Sequence, residues 1–381
     1  MHSADKKPLG IYIHIPFCVQ KCRYCDFCSF AHLNDGVKDD YKRSLINDIG
    51  SRAEYFSGHT VDTVFFGGGT PTCLKSSELC EILDAVLSEY NVSNEAEISL
   101  ECNPATANAE DFKTLLAGGF NRLSMGLQSA HDNELRELGR IHSFADFQKT
   151  YGDARGAGFK NISLDLMYGI PLQTIESFNE TLETVLSFEP DHISAYSLKI
   201  EPGTEFYKKR GELILPDEDT EYDMYVLADS ILSANGYEHY EISNYALNGK
   251  RSRHNVKYWS CDEYAGFGVA AHSLIGNTRY SVTDSIEKYV GRASDYFETE
   301  EMLDFDSLTE EYIMMRLRLS DGLSIMEYKD KFSVELDEKY IFRMEPFIKS
   351  GHIKRNDGRY SLSAEGMYVS NYILSEILDL G

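Results

Sequence analysis

The sequence predicts an α/β fold, a partial (β/α)6 barrel followed by a small C-terminal α+β domain. Short apolar runs alternate with helical patterns, reactive residue types follow successive runs, and the pattern changes after about residue 285. Alternating strands and helices imply parallel strands that are joined by right-handed crossovers. The 381 residues are enough for such a barrel and a second domain.

Six apolar or alternating runs are the predicted strands of the barrel. They are residues 10–15, 63–66, 97–101, 122–125, 162–166 and 192–196. Between them, apolar side chains from Leu79 to Leu87 recur with the period of a helix, and Ser143 and Ser177 each begin the spacing of a capping box. Gly158 follows a helical stretch and is predicted to end that helix in the left-handed conformation.

The C-terminal part of the chain has a different pattern. Residues 291–308 contain an acidic, poorly periodic stretch and are predicted to link a barrel domain, residues 1–290, to a domain of residues 309–381. In the second domain, Asn356-Asp357-Gly358 is typical of a hairpin turn, and residues 363–378 are predicted as a closing helix. This pattern resembles a winged helix. Winged helices usually indicate DNA binding, but the net charge of −25 favours a cap or docking surface.

Composition excludes several classes of protein. The 37 Lys and Arg residues against 62 Asp and Glu residues repel a phosphate backbone, so no nucleic-acid partner is expected. No apolar run reaches the roughly 18 residues of a membrane span, and residues 1–9 are too polar for a secretory signal. A cytoplasmic protein is therefore expected, with peripheral membrane association left open. Eight cysteines in such a reducing compartment indicate metal binding more than disulfides.

Four of the eight cysteines lie within eleven residues, from Cys18 to Cys28. A structural zinc site usually needs a second pair of ligands downstream, and the sequence has none. An iron–sulfur cluster held by all four thiolates is one alternative. The other uses Cys18, Cys22 and Cys25, spaced C-x3-C-x2-C, and leaves one iron open to an added ligand, as in reactive sites. We predict the three-ligand cluster, and the role of Cys28 stays open.

The cysteine spacing, with the aromatic Tyr24 before the third cysteine, resembles the radical S-adenosylmethionine superfamily. The resemblance implies a 4Fe–4S cluster on Cys18, Cys22 and Cys25 whose open iron binds S-adenosylmethionine. It also implies an electron donor such as flavodoxin or ferredoxin, and a backbone contact from Tyr24 to the adenine.

Other unusual segments follow the predicted strands at the point where each strand ends. Gly67-Gly68-Gly69-Thr70 follows the second strand, Glu101 ends the third, Gln128 follows the fourth, and Asp165 ends the fifth. Because the carboxyl ends of parallel strands meet at one face of a barrel, we expect these residues and the cysteines to share one site.

These residues suit the parts of S-adenosylmethionine. The predicted cofactor-binding residues are Tyr12, Tyr24, Gly68, Gly69, Thr70, Glu101, Gln128, Arg140 and Asp165. The glycines expose backbone groups to the methionyl ammonium and carboxylate. Glu101 accepts from an ammonium or a ribose diol, unless it forms a buried ion pair. Arg140 matches the geometry of a carboxylate, with an exposed helix-flanking charge as the alternative, and Tyr12 is either a site residue or part of the core.

Several motifs together look like the oxygen-independent coproporphyrinogen III oxidase family, over essentially the whole chain. They are Tyr12-Ile13-His14-Ile15-Pro16-Phe17-Cys18, Gly67-Gly68-Gly69-Thr70, Glu101-Cys102-Asn103-Pro104, Gly126-Leu127-Gln128-Ser129, Gly139-Arg140-Ile141-His142 and residues 165–171. The family has two branches. Porphyrinogen oxidases decarboxylate propionates in porphyrin biosynthesis, whereas haem chaperones transfer haem to an acceptor protein.

Three features resemble the chaperone branch. The cluster segment starts at Cys18, without room for the arm that precedes it in the oxidases, and Cys28 lies three residues after Cys25 instead of two. The third feature is the candidate haem-binding motif, which consists of His254, Asn255, Tyr258 and Trp259. Aromatic residues with a nearby histidine can form a haem wall with an axial ligand. The alternative, a packed Tyr–Trp pair with the histidine hydrogen-bonded locally, stays open.

The expected function is therefore a haem-binding chaperone that carries a 4Fe–4S cluster and S-adenosylmethionine and passes haem to an acceptor protein. An oxygen-independent coproporphyrinogen III oxidase is the alternative. We expect the fold and cofactor site of a radical enzyme, but no active coproporphyrinogen dehydrogenase.

Overall fold

A large sheet, parallel at its centre, organises the computed structural model, which describes residues 6–291 and 297–379. In chain order the strands are β1 Lys7–Ile15, β2 Phe17–Cys18, β3 Phe30–Ala31, β4 His59–Gly68, β5 Val92–Cys102, β6 Arg122–Gln128, β7 Ile162–Tyr168, β8 His192–Ser197, β9 Glu238–Glu241, β10 Asn244–Ala246, β11 Tyr264–Phe267, β12 His272–Ile275, β13 Thr278–Val282, β14 Phe297–Met302, β15 Leu323–Ser324, β16 Ile353–Asn356 and β17 Arg359–Leu362.

Helices alternate with the strands as predicted. They are α1 Asp35–Ser51, α2 Ser76–Glu89, α3 Ala109–Ala117, α4 Asp132–Glu137, α5 Phe144–Ala157, α6 Ile175–Leu186, α7 Glu205–Lys208, α8 Glu218–Ala234, α9 Arg253–Trp259, α10 Ile286–Val290, α11 Phe305–Leu317, α12 Ile325–Phe332, α13 Glu338–Lys349, α14 Ala364–Tyr368 and α15 Ser370–Leu378, with 3-10 turns at Glu54–Phe56 and Pro71–Cys73. Among the residues that the structure describes, none of these helices combines the length and apolarity needed to cross a bilayer.

All six predicted barrel strands are present and form the parallel order β1-β4-β5-β6-β7-β8. The sheet does not close, as expected of a partial barrel. It continues instead through β11, β12, β13 and β14 beside β1, and through β10 and β9 beside β8. The predicted fold class is therefore confirmed.

The two faces of this sheet differ in polarity, because alternate residues of a strand point to opposite sides. One face shares a hydrophobic core with the surrounding helices, for example through Val64, Ile98 and Leu123. The other face carries polar and charged side chains at alternating positions. They include Thr63, Glu97, Glu101, Arg122, Ser124, Ser163, Asp165, His192 and Ser194. We call this second face the concave face. Its polar side chains extend along the strands towards their carboxyl ends.

Most local signals in the sequence are confirmed, with two corrections. The Ser143 capping box and the left-handed Gly158 are present at the two ends of α5. Ser177 does not begin a helix. The N-cap of α6 is Thr174, whose side chain accepts a hydrogen bond from the Ser177 backbone and so starts the helix three residues earlier. In α2 the buried stripe ends at Val86, and Leu87 is exposed.

The C-terminal region contains a small three-stranded sheet, β15-β17-β16, packed with α11 to α15. Its hairpin turns at Asp357 and Gly358, both with positive φ as the predicted turn requires. The predicted closing helix is two helices, α14 and α15. In the predicted connection, residues 292–296 lie outside the described part, and Phe297–Met302 is a strand paired with β13, because backbone pairing needs no apolar pattern. The domain boundaries stay predictions.

Candidate functional site

The predicted cluster cysteines lie on the loop that follows β1. Short parallel pairing of β2 with β3 closes this loop, and the Phe30 amide donates to the Pro16 carbonyl over 2.7 Å. Cys18, Cys22 and Cys25 are half-buried within it. The loop therefore holds three thiols at the carboxyl end of the first strand, where the sequence predicts them.

The segment after α4 holds the other side of the cysteine loop. The Arg23 amide donates to the Leu138 carbonyl over 3.0 Å, and the Gln20 side chain donates to the Gly139 carbonyl over 3.1 Å. Gly139 has a φ of 74°, and a Cβ there would lie 2.9 Å from Arg23 Cγ. Only glycine allows this close approach, so the loop position depends on it.

Burial raises the pKa of the Cys18 and Cys25 thiols, and the neighbouring Cys22 raises both further. A metal that binds them must therefore displace protons, since thiolate is the ligand form. Within the described residues, no three His, Cys, Asp or Glu side chains converge on a single-ion position. Such convergence is what a mononuclear site such as zinc needs, whereas an iron–sulfur cluster binds its thiolates on separate irons.

The glycine-rich segment after β4 packs tightly against β1 and the cysteine loop. Gly68 has a φ of 113°, and a Cβ there would overlap the His14 ring. A Cβ on Gly69 would lie 2.7 Å from the Phe17 carbonyl oxygen. The Gly68 amide donates to Glu101 Oε2 over 3.1 Å. The glycines thus bring the ends of three strands together, and one of their amides is already engaged.

Thr70 links this segment to the cysteine loop. Its amide donates to the Phe17 carbonyl over 2.7 Å, and its hydroxyl lies 3.7 Å from the Cys18 sulfur. The Asn103 side chain donates to the same hydroxyl over 2.8 Å. Thr70 and Cys18 therefore belong to one site.

Arg140 is half-buried at the centre of this face and is not an exposed helix-flanking charge. Its guanidinium donates to Asn103 Oδ1 over 2.7 Å, to the Gly126 carbonyl, and to the Cys22 sulfur over 3.5 Å. Burial raises the pKa of Tyr24, and the nearby Arg140 opposes this shift. The guanidinium thus connects the cysteine loop to the ends of β5 and β6.

Gln128 sits where β6 shifts register against β7, and it has a φ of 73°. A Cβ on Gly126 would lie 2.9 Å from Gln128 Nε2 and 2.8 Å from Arg140 Nη2, so these polar groups crowd one glycine. The neighbouring cavity is narrow, about 20 Å³, with Cys22 and Arg140 in its lining. It has room for about one water, so a larger ligand would have to displace side chains.

Two half-buried carboxyl groups lie deeper on the concave face. Burial raises the pKa of Glu101 to about 8, with a further contribution from Asp165. Burial also raises the pKa of Asp165, which accepts hydrogen bonds from the Ser124 hydroxyl at 3.1 and 3.2 Å. The buried Arg122 lowers both values, but it forms no ion pair with either carboxyl among the described contacts. The ion-pair alternative for Glu101 is therefore not what the structure shows.

Tyr12 lies near the Glu101 carboxyl group, within the concave face. Its hydroxyl is 2.9 Å from His14 Nδ1, and its ring stacks on Phe65 with centroids 6.3 Å apart. Burial raises the pKa of Tyr12, and Glu101 raises it further. Tyr12 thus combines core packing with a position next to the site.

The candidate haem-binding motif forms α9, which packs against the middle of β4 and β5. His254 is 1% exposed, and its two ring nitrogens lie 2.9 Å from Thr63 Oγ1 and 2.8 Å from the Tyr258 hydroxyl. Burial lowers the pKa of His254 to about 3. The contacts are those of the alternative considered above, a histidine hydrogen-bonded within the core.

The rest of the motif is also engaged in packing. Asn255 is half-buried. The Arg318 guanidinium lies over the Trp259 ring, with 4.5 Å between its carbon and the centroid of the ring. In this conformation α9 offers iron no free nitrogen of His254. The parts of β4 and β5 that α9 packs against come before Gly68 and Glu101 along these strands. The structure therefore does not bring the motif together with the cysteines.

Sequence reasoning missed two side chains of this site. Asn103, which lies within a quoted motif, contacts both Thr70 and Arg140. Arg122 opens β6 as a buried charge on the concave face. A charged residue at the start of an otherwise apolar strand was the available signal for Arg122.

Comparisons with known proteins agree with this architecture. Residues 12–185 match the radical SAM superfamily, and residues 303–369 match the HemN C-terminal domain. Coproporphyrinogen III oxidase (HemN) from Escherichia coli shares the fold, with a TM-score of 0.86 and 23% identity, over 98% of this chain and 90% of that chain. This chain is therefore a radical SAM superfamily protein with a HemN-type C-terminal domain.

Two curated relatives place it further. The heme chaperone HemW of Bacillus subtilis (strain 168) is 34% identical over 374 residues, covering 96% of this chain and 98% of the relative. The heme chaperone HemW of Escherichia coli (strain K12) is 35% identical over 381 residues, covering 97% and 98%. The chain belongs to the HemW heme chaperone family.

Proposed function

We propose that this protein is a haem-binding chaperone that carries a 4Fe–4S cluster and S-adenosylmethionine and passes haem to an acceptor protein. The observation that carries the proposal is identity of 34% and 35%, over nearly the full length, to two proteins named heme chaperone HemW. We expect it to act in the cytoplasm, with or without peripheral contact to a membrane, and to bind no nucleic acid.

Cys18, Cys22 and Cys25 would hold the cluster, since they are half-buried thiols on one closed loop. When bound, the cluster would supply an open iron for S-adenosylmethionine and would take electrons from a donor such as flavodoxin or ferredoxin. Arg140, which donates to the Cys22 sulfur over 3.5 Å, would help to hold this ligand in position.

The concave face suits the polar parts of S-adenosylmethionine. Glu101 would accept from the methionyl ammonium, and the new positive charge would bring its raised pKa back down. Arg140 would face the carboxylate, a geometry that its planar guanidinium matches. Asp165 and Gln128 would bind ribose or carboxylate oxygens, while Tyr12, Tyr24 and the segment from Gly68 to Thr70 would shape the pocket around them.

Anaerobic purification with cluster reconstitution tests the function. Haem is titrated while the Soret band is recorded, and the same sample is assayed for conversion of coproporphyrinogen III. We expect haem binding without turnover, and no rescue of a strain that lacks its own porphyrinogen oxidase. Turnover with rescue would favour the oxidase instead, and a silent Soret titration would contradict the chaperone.

A further inference from the structure

A surface cavity of about 510 Å³ lies where the antiparallel edge of the sheet meets the C-terminal region. Its lining includes Tyr264, His272, Leu303, Met314, Met315 and Leu378. The volume falls within the range of about 300 to 1,000 Å³ that is typical of small-molecule and cofactor sites. None of the predicted cofactor residues lines it.

His272, on β12, has a ring that is free to bind. Among the described residues, only His272 and His32 are histidines whose ring nitrogens form no hydrogen bond within the chain. The bonded ones are His14, His59, His131, His142, His192, His239, His254 and His352. Partial burial and the nearby Arg279 lower the pKa of His272, which keeps its ring neutral near pH 7, the form that binds iron.

The walls of the cavity suit a flat apolar ligand. Leu303, Met314, Met315 and Leu378 contribute aliphatic and thioether groups, and methionine side chains adapt readily to a ligand surface. A methionine sulfur is also an established axial partner of histidine on haem iron. The cavity therefore combines an apolar surface with one free imidazole.

One ion pair and one further acidic side chain lie at the cavity. Arg279 forms an ion pair with Glu311, and Glu310 accepts a hydrogen bond from the Tyr340 hydroxyl over 2.9 Å. A porphyrin can bind here with its propionates directed to solvent, away from Glu310 and Glu311.

We propose that this cavity between β12, β13 and α11 is the haem site, with His272 as the axial ligand of the iron. The inference rests on the proposed function, since it locates the haem that a chaperone would carry. It also assigns α9, with its buried and hydrogen-bonded His254, to the core of the protein. The C-terminal region then helps to hold the cargo, because α11 forms one wall.

Haem titration of the full-length protein tests the assignment through the Soret band and the spin state of the iron. Loss of even an outer-shell partner of a metal costs about 10- to 100-fold in affinity, so His272→Ala is expected to lose at least that much. Added imidazole should restore the Soret position of this variant, which a merely structural role would not allow. His32→Asn, at the other unbonded histidine, is the matched control and should behave as the wild type.

A second variant tests the cavity without touching the ligand. Ser307 is exposed at the cavity lining, so Ser307→Trp should fold and block the opening. Its haem affinity is expected to fall, and imidazole should not restore it. If the wild-type protein binds haem and both His272→Ala and Ser307→Trp bind it with unchanged affinity, this site is wrong and the proposed function still stands. Wild-type protein that binds no haem would overturn the proposed function as well.

Discussion

Glu101 is a single half-buried carboxyl group whose ionisation should set part of the pH dependence of stability. Its pKa is about 8 in the folded protein, compared with an ordinary value of 4.5. Between these values the folded state binds more protons, so stability falls as pH rises through this window. In protein free of S-adenosylmethionine, Glu101→Gln should remove this loss, a gain of a few kcal/mol near pH 8, since one pKa unit is about 1.4 kcal/mol.

Urea denaturation at several pH values between about 5 and 8 measures this effect. Glu95→Gln, at an exposed position of the same strand, β5, is the control and should keep the wild-type slope. A Glu101→Gln protein with the wild-type slope would assign the pH dependence to other groups.

Cys28 provides the comparison that tests the three-ligand cluster. Its backbone carbonyl lies 2.9 Å from His14 Nε2, whereas its thiol is half-buried near the Asp284 carbonyl, 3.8 Å away. Iron content after reconstitution should fall strongly in Cys18→Ala, Cys22→Ala and Cys25→Ala, and stay near the wild-type level in Cys28→Ala. Equal loss in Cys28→Ala and Cys22→Ala would indicate four thiolate ligands.

Arg140 should contribute directly to cofactor affinity. Calorimetry on Arg140→Ala is expected to show binding of S-adenosylmethionine weakened by about 1.5 to 3 kcal/mol, the scale of a hydrogen bond to a charged group. Arg136→Ala, at an exposed position of the adjacent α4, is the matched control. Unchanged affinity in Arg140→Ala would remove this residue from the site.

At the scale of elements, the end of β4 depends on the absence of a side chain at Gly68. A methyl group there would overlap the His14 ring. The backbone φ of 113° at this position is also unfavourable for alanine. Gly68→Ala should therefore lower the free energy of unfolding by about 1 to 3 kcal/mol. Gly152→Ala, in the exposed face of α5 with open space around it, should instead raise it by about 0.4 to 1 kcal/mol. In thermal unfolding, Gly68→Ala is therefore expected to lower the melting temperature and Gly152→Ala to raise it.

How far the sequence predicts each element depends on the range of the interactions that form it. The apolar runs of the strands and the Ser143 cap are local sequence patterns, so they could be predicted. The prediction that the carboxyl ends of the strands meet at one face followed from their parallel pairing. The burial of His254 depends on Thr63, which is distant in the chain, and no local pattern reports that contact. Strand β14 likewise forms by pairing with β13, without an apolar alternation of its own.

At the scale of the whole molecule, several contacts join the C-terminal region to the barrel, and one of them is an ion pair with a buried carboxylate. Arg318, just after α11, donates to Glu241 Oε1 over 3.0 Å and lies over the Trp259 ring. Glu241 is 1% exposed and also accepts from the Asn244 side chain. The Ser320 amide donates to the Tyr240 carbonyl over 2.9 Å beside it. These contacts join residues from the predicted second domain to β9.

Removing the Arg318 side chain should weaken the coupling between the two regions. Arg318→Ala leaves the buried Glu241 carboxyl without its cation, at an expected cost of about 1.5 to 3 kcal/mol. Arg355→Ala removes a pair that is exposed at both ends, with 3.6 Å between Arg355 and Glu345, and should cost at most about 1 kcal/mol. If the wild-type regions unfold together, urea denaturation should show one transition in the wild type and in Arg355→Ala. In Arg318→Ala the C-terminal region should unfold first, as a separate transition. A single transition at the wild-type midpoint in Arg318→Ala would show that the ion pair does not couple them.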